Sequence, residues 1–304
     1  MKKLFSPDRL PPDSLFIGCS SHEDRCLGIV QELGSWQPHQ AMLFHYADPN
    51  PRRESNHSVM RDALSKRSPV VDIPFDESNA VDSFRRQGDA LLAAIGVQSA
   101  RPIVADVSVL TKRHLLLLLR WLDDYDSWNR LWIAYSEPEE YEIEGHMPLS
   151  FGVSKVEQVP GFSASPDPSR PLHVAMLLGY EGDRAFATYE LLQPKRTTLI
   201  VPYPPFRPSW EGRTENLNRN LIAVVGNSSF LKADALDPES TYLVLEKIFG
   251  PVNQRSDFSR AICPLGTKPQ TLGSYLYLRN CVDPPAVIYS RALGHNHNYY
   301  SRGG

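Results

Sequence analysis

Several side chains in this sequence could grip or transform an anionic ligand, and they recur in matched pairs. Gly266-Thr267-Lys268 offers backbone N–H groups, a hydroxyl and an ammonium in one short turn. Such a turn at a helix N-terminus suits a phosphate, because unpaired amides and the helix dipole both favour negative charge. Thr111-Lys112 repeats the hydroxyl and the ammonium. Arg25 and Arg184, each preceded by an aspartate, add planar guanidinium groups able to clamp a phosphate or stack on a base. Plainer readings stand beside these. An aspartate at a helix start complements the dipole and pairs with a neighbouring arginine, and Gly266-Thr267-Lys268 also fits a capped, solvated helix start. The full GxxxxGK[ST] phosphate loop is missing, so no Walker-type site is expected.

Two acidic positions could add chemistry. Asp106 lies near the end of an apolar run and Glu137 follows another, so either could act as a general acid or base, or contact a ribose hydroxyl. The second half carries Cys263 and Arg291 at the approximate counterparts, so any chemistry would be asymmetric. His295 and His297 alternate in a polar segment with Asn296, Asn298, Tyr299 and Tyr300, groups that hydrogen-bond and stack on nucleobases. The competing reading is a polar chain terminus, and two histidines are too few for a metal site. Cys19, His22 and Cys26 supply three local ligands at most. Cys19 reads as the end of a buried strand and Cys26 as helix packing. Arg52 and His57 match an R-x4-H spacing that is read as chance. No metal and no cofactor are expected.

The elements that must position these residues alternate between short apolar strands and helical patterns, as in parallel α/β architecture. Strands are expected at 14–19, 41–46, 69–73, 102–107 and 130–135, with helices at 26–33, 55–66, 81–95 and 113–122 between them. A Pro/Gly-rich stretch over 146–171 breaks the rhythm, and the order then begins again: strands at 173–178, 197–202, 229–234, 259–263 and 286–289, helices at 185–192, 217–225, 240–249 and 269–278. The matched pairs, with Tyr135-Ser136 against Tyr289-Ser290, fall in the same order in both halves. That is what a tandem copy with small deletions produces. The expected fold is therefore α/β, with two tandem Rossmann-like units of mainly parallel sheet related by an internal pseudo-two-fold duplication. The boundaries are 1–145, a linker at 146–171, and 172–304. Ligand crevices in such sheets lie at the carboxyl ends of the strands, where the paired residues fall.

Composition sets the outer limits. The 304 residues are 41% hydrophobic and 22% charged, with a formal net charge of −3. Near-neutral charge argues against bulk duplex DNA or an anionic membrane as partner and leaves room for a local basic pocket. No apolar run reaches membrane-span length and no secretory signal is read at the start, so a cytoplasmic location is expected. Four scattered cysteines predict reduced thiols.

The segment Cys263-Pro264-Leu265-Gly266-Thr267-Lys268-Pro269-Gln270-Thr271-Leu272-Gly273 resembles the GTK-like segment of CARF and SAVED domains. These are Rossmann-like sensors of prokaryotic antiviral immunity, and SAVED looks like two CARF units fused in one chain. They bind cyclic or linear oligonucleotide second messengers between the two units. The resemblance implies that Thr267 and Lys268 contact ligand phosphate with Thr111 and Lys112 opposite. The turns Ser20, Ser21, Glu23, Arg25 and Tyr180 to Arg184 would complete the cleft. The first half lacks the glycine of the second copy. The favoured expectation is a non-catalytic nucleotide sensor that signals through self-assembly or a separate effector protein, because the two repeats use essentially the whole sequence. The alternative is an enzyme of nucleotide or phosphoribosyl chemistry in the same cleft, with Asp106 or Glu137 as base.

Overall fold

Strand-forming runs that are buried along their whole length, such as Leu15–Ser20, are suited to the middle of a sheet covered on both faces. The computed structural model describes residues 10–47, 49–76, 79–96, 100–141, 150–162, 166–226, 230–254, 256–295 and 301–303. The chain divides into two compact units, Met1–Glu142 with Tyr300–Gly304, and Ile143–Tyr299.

In the first unit β1 (Leu15–Ser20), β2 (Gln40–Tyr46), β3 (Val70–Phe75), β4 (Ile103–Asp106) and β5 (Leu131–Ala134) form an all-parallel sheet in the order β3-β2-β1-β4-β5. Between them run a 3-10 turn (Asp24–Leu27) leading into α1 (Gly28–Gln31), then α2 (Pro51–Ser65), α3 (Ala80–Ile95) and α4 (Lys112–Asp124). The helices begin where side chains can satisfy the orphan amides of a first turn. Asn50 caps α2 by accepting from the Arg53 amide, with Pro51 at its start, and Asn79 caps α3 by accepting from the Asp82 amide. Along α4 Leu115, Leu116, Leu118, Leu119 and Leu122 are all buried, which seats it firmly on the sheet. A short β6 (Glu140–Tyr141) pairs antiparallel with residues Ser301–Arg302.

The second unit repeats the order. After β7 (Ser150–Phe151) and β8 (Lys155–Gln158) come β9 (Leu172–Leu177), α5 (Gly182–Leu192), β10 (Arg196–Pro202), α6 (Arg213–Leu217), α7 (Arg219–Val225), β11 (Phe230–Ala233), α8 (Pro238–Phe249), β12 (Ser259–Pro264), α9 (Lys268–Asn280) and β13 (Ala286–Arg291). The sheet order is β11-β10-β9-β12-β13-β8, so its first five strands have the connectivity of the first sheet. The α/β class and the repeated, mainly parallel sheets stand as the sequence predicts.

The stretch 146–171 does more than connect. It supplies β8, which pairs antiparallel with β13 from Ile288↔Gln158 to Arg291↔Lys155. It also supplies β7, which pairs with β14 (Gly294–His295). Short strands of this kind carry no periodicity long enough to read, and pairing alone fixes them. The same holds for β15 (Ser301–Arg302), the partner of β6. A core of Val174, Met176, Leu199, Val201, Ala261, Cys263, Ala286 and Ile288 joins the central strands of this unit. Among the described residues no helix is long and apolar enough to cross a membrane.

Candidate functional site

An order of 3-2-1-4-5 reverses direction between its first and fourth strands, and the loops leaving the carboxyl ends of those two strands splay apart into a crevice. In the first unit these are the loops after β1 and β4. In the second they follow β9 and β12, whose ends lie in register at Leu177↔Pro264. Ser20, Ser21, Glu23, Arg25, Asp106, Thr111 and Lys112 thus share the crevice end of the first sheet. Tyr180, Arg184, Gly266, Thr267 and Lys268 share that of the second.

The two threonines occupy equivalent places and do equivalent work. Thr111 is the N-cap of α4: it accepts from the His114 amide at 3.3 Å and meets His114 Nδ1 at 2.7 Å, while its own amide donates to the Tyr46 hydroxyl at 3.0 Å. Thr267 caps α9 in a full capping box. Its Oγ1 accepts from the Gln270 amide at 3.1 Å, and its amide donates to Gln270 Oε1 at 3.0 Å. The Thr267 hydroxyl donates its single proton to Ala235 O at 2.8 Å. That bond ties the turn after β12 to the loop after β11. A Cβ at Gly266 would stand 2.2 Å from Gln270 Oε1, so a side chain there would displace the capping glutamine. Lys112 and Lys268 each hold the first helical position and are partly exposed.

The arginines also match. Arg25 and Glu23 are both buried and form a bidentate pair, Nε to Oε2 at 2.8 Å and Nη2 to Oε1 at 3.1 Å. Arg25 Nη1 reaches the Tyr135 hydroxyl at 3.5 Å, just beyond the end of β5. Burial works against the charge on Arg25, but Glu23 beside it more than compensates and holds the guanidinium charged. Burial likewise pushes the Tyr135 phenol up. In the second unit Arg184, also buried, donates to Glu181 Oε2 at 2.6 Å, to Ser150 Oγ at 3.2 Å and to the Ser290 carbonyl, with its guanidinium 6.0 Å from the Tyr289 ring centroid. Ser150 donates in turn to Glu181. In both units an arginine after the first strand thus reaches the end of the last parallel strand. Each pairs with a glutamate rather than with the preceding aspartate, and Asp24 is held by Arg52 at 3.1 and 2.5 Å.

Asp106 is buried, and its Oδ1 accepts from the Ser108 amide at 2.9 Å and from the Ser108 hydroxyl. Ser108 Oγ then accepts from the Ser136 amide at 2.7 Å, so this carboxylate organises the loops after β4 and β5. Glu137 is partly exposed in the second of those loops. At the equivalent of Asp106, burial pushes the Cys263 thiol up to about 12, and Cys26 is raised as far for the same reason. Neither is a ready nucleophile. His295 lies in β14, opposite Ser150, with its side chain outside the described residues. His297 lies outside the described residues altogether.

One constellation is invisible in the sequence pattern. Ser20 Oγ lies 3.1 Å from His57 Nδ1, and His57 Nε2 lies 3.2 Å from Asp72 Oδ1, which joins β1, α2 and β3. Arg61 Nε donates to the other Asp72 oxygen at 2.8 Å. The His45 ring lies 4.7 Å from His57, and burial, then the neighbouring His57, lowers its pKa. The order Ser-His-Asp is that of a nucleophile relay, but Ser20 is wholly buried, so its hydroxyl does not face a substrate. A cavity bounded by Leu10, Trp36, His39 and Arg67 lies at the amino ends of the strands, away from the crevice.

The fold and these loops define an α/β protein of two Rossmann-like units, each with a crevice at the carboxyl ends of its strands. No family model matches the chain, and no curated protein matches it. Among solved structures it is similar to one described as the cytoplasmic domain of a prokaryotic cation chloride cotransporter. The match covers 94% of this chain and 98% of that one at 10% identity and a TM-score of 0.27. A likeness of that size carries no function across.

Proposed function

We propose that the chain is a sensor of a nucleotide or oligonucleotide second messenger, binding without turnover and signalling through self-assembly or a separate effector. The observation that carries this reading is electrostatic. Of the described helices of eight residues or more, α2, α3, α5 and α8 each have an acidic residue in the first turn: Glu54, Asp82, Asp183 and Glu239. The equivalent helices α4 and α9 have none, and a lysine stands at their first position. A cation at a helix N-terminus opposes the dipole by about 0.3–1 kcal/mol, and a bound anion, attracted by both the dipole and the ammonium, would offset that cost. The arrangement occurs twice, at the crevice end of each sheet. The resemblance of 263–273 to CARF and SAVED segments points the same way and makes prokaryotic antiviral defence the fitting context.

The enzyme alternative draws less support. Asp106 is engaged by Ser108, and its counterpart is the buried Cys263.

Calorimetric titration with cyclic oligonucleotides, mononucleotides and dinucleotides tests the reading. Binding without product is expected, with Lys268→Ala and Lys112→Ala each weakening it by about 1–3 kcal/mol. Unchanged affinity in the double variant removes the paired-lysine model. Turnover that is lost in Asp106→Asn or Glu137→Gln would favour the enzyme.

A further inference from the structure

The two units differ in the connection after their second strand. In the first, only residues 47–50 separate β2 from α2. In the second, residues 203–212 separate β10 from α6 and carry Tyr203, Phe206 and Trp210. Connections on a surface are usually polar, so three aromatics in ten residues call for a reason. Phe206 and Trp210 lie outside the core cluster of the unit and are only partly buried.

These rings gather beside the crevice. The Trp210 ring stands edge-on to Tyr180, with centroids 6.4 Å apart and planes at 78°, and edge-on to Phe206 at 6.4 Å and 75°. The Arg213 guanidinium lies over the Tyr180 ring, 4.8 Å from its centroid. Backbone contacts fix the group in place. Asn218 Nδ2 donates to Gly179 O at 2.8 Å, and Gly182 packs so closely on the end of α6 that a Cβ would stand 1.8 Å from Leu217 O. On the other side a Cβ at Gly179 would stand 2.4 Å from Leu265 O, which brings the turn bearing Tyr180 against the turn bearing Lys268. The start of the loop is anchored to the same place. Ala235 donates its amide to Pro204 O at 3.3 Å and accepts the Thr267 hydroxyl at 2.8 Å.

We propose that Tyr180, Phe206 and Trp210, with Arg213, form a stacking platform that reads the nucleobase of a nucleotide held at the crevice of the second unit. This inference rests on the anion-binding reading of Lys268 given above and adds what recognises the rest of the ligand. Every nucleobase has a π-face that stacks on aromatic and guanidinium planes, and such stacking is strong and tolerant of base identity. Edge-on packing among the rings holds each at a fixed angle, so the platform is set before a base arrives. The short connection of the first unit, residues 47–50, carries no aromatic residue, so this platform belongs to the second unit.

The test compares the four nucleoside 5′-monophosphates with ribose 5-phosphate, titrated into the full chain. The expected result is that the best monophosphate binds at least about 10-fold more tightly than ribose 5-phosphate. Trp210→Ala should remove most of that difference and leave ribose 5-phosphate affinity as it was, while Trp210→Phe should keep it. Equal affinity for monophosphates and ribose 5-phosphate overturns the platform and leaves the phosphate reading standing. So does a preference untouched by Trp210→Ala in a variant that melts like the parent. Failure of every monophosphate and of ribose 5-phosphate to bind overturns the platform, and failure of the cyclic oligonucleotides as well overturns both.

Discussion

Arg25 and Glu23, two residues apart, close a two-pronged ion pair inside the first unit, at 2.8 and 3.1 Å. An arginine beside a crevice invites assignment to a ligand, but this one is matched oxygen for nitrogen by its own neighbour. Its topological counterpart, Arg184, is engaged by Glu181 and by the Ser290 carbonyl. Both arginines tie the loop after the first strand to the end of the last parallel strand, and so hold the crevice walls in place.

Removing one partner of such a pair leaves a buried charge without compensation. Glu23→Gln is expected to lower stability by about 3–5 kcal/mol, read as the shift in urea unfolding of the full chain. The double variant Glu23→Leu, Arg25→Met should recover most of that loss, because a buried pair is close to neutral against apolar residues of similar size. A double variant as unstable as the single one would show that Arg25 has further essential partners.

Ser20 and His57 define a second expectation. With Ser20 wholly buried, a fluorophosphonate probe should leave it unmodified in the native chain, as judged by mass spectrometry of the labelled protein. His57→Ala should still lower stability, by about 1–3 kcal/mol, because Ser20 and Asp72 would each lose a partner. Labelling at Ser20 that disappears in His57→Ala would turn this structural link into a catalytic relay.

Two glycines should respond in opposite directions to the same added methyl. Gly88 lies within α3 with nothing within 4 Å of a Cβ, so Gly88→Ala should stabilise by about 0.5–1 kcal/mol through helix propensity. At Gly182 the Cβ would stand 1.8 Å from the Leu217 carbonyl oxygen, and backbone on backbone has no rotamer to relieve it. Gly182→Ala should destabilise by about 1–3 kcal/mol or more, and thermal unfolding of the pair of variants checks both signs.

His173 makes stability pH-dependent. Burial first, then the Arg196 charge, lowers its pKa from 6.5 to about 4, and the ring rests on Thr198 Oγ1 at 3.0 Å and against Phe249 and Phe258. The folded chain thus holds this imidazole neutral while the unfolded chain protonates it near 6.5. Its contribution is full above pH 6.5 and is lost as pH falls through about 4. Urea midpoints measured from pH 7.5 to 4 should decline over that window, and His173→Gln should flatten the decline.

Much of the scaffold is legible in the sequence because its signals are local. Apolar runs such as Leu15–Ser20 and caps such as Thr267 with Gln270 declare where strands end and helices begin, and the matched Thr-Lys and Tyr-Ser pairs declare that the pattern repeats. The strands β6, β7, β8, β14 and β15 are not legible. Each is two to four residues long and exists only because a distant segment pairs with it.

The site divides in the same way. Sequence by itself determined the α/β class, the repeat, and which residue types arrive at the crevice ends, since these follow from side-chain period and from residue chemistry at helix starts. Only the tertiary structure decided what each group is engaged in there. It gave Arg25 to Glu23, the Thr267 proton to Ala235, and His57 to Ser20 and Asp72, and it set Trp210 beside Tyr180. Hydrogen bonds and ring contacts are satisfied across space, so a partner 32 or 37 residues away leaves no mark on the local pattern that announces the residue itself.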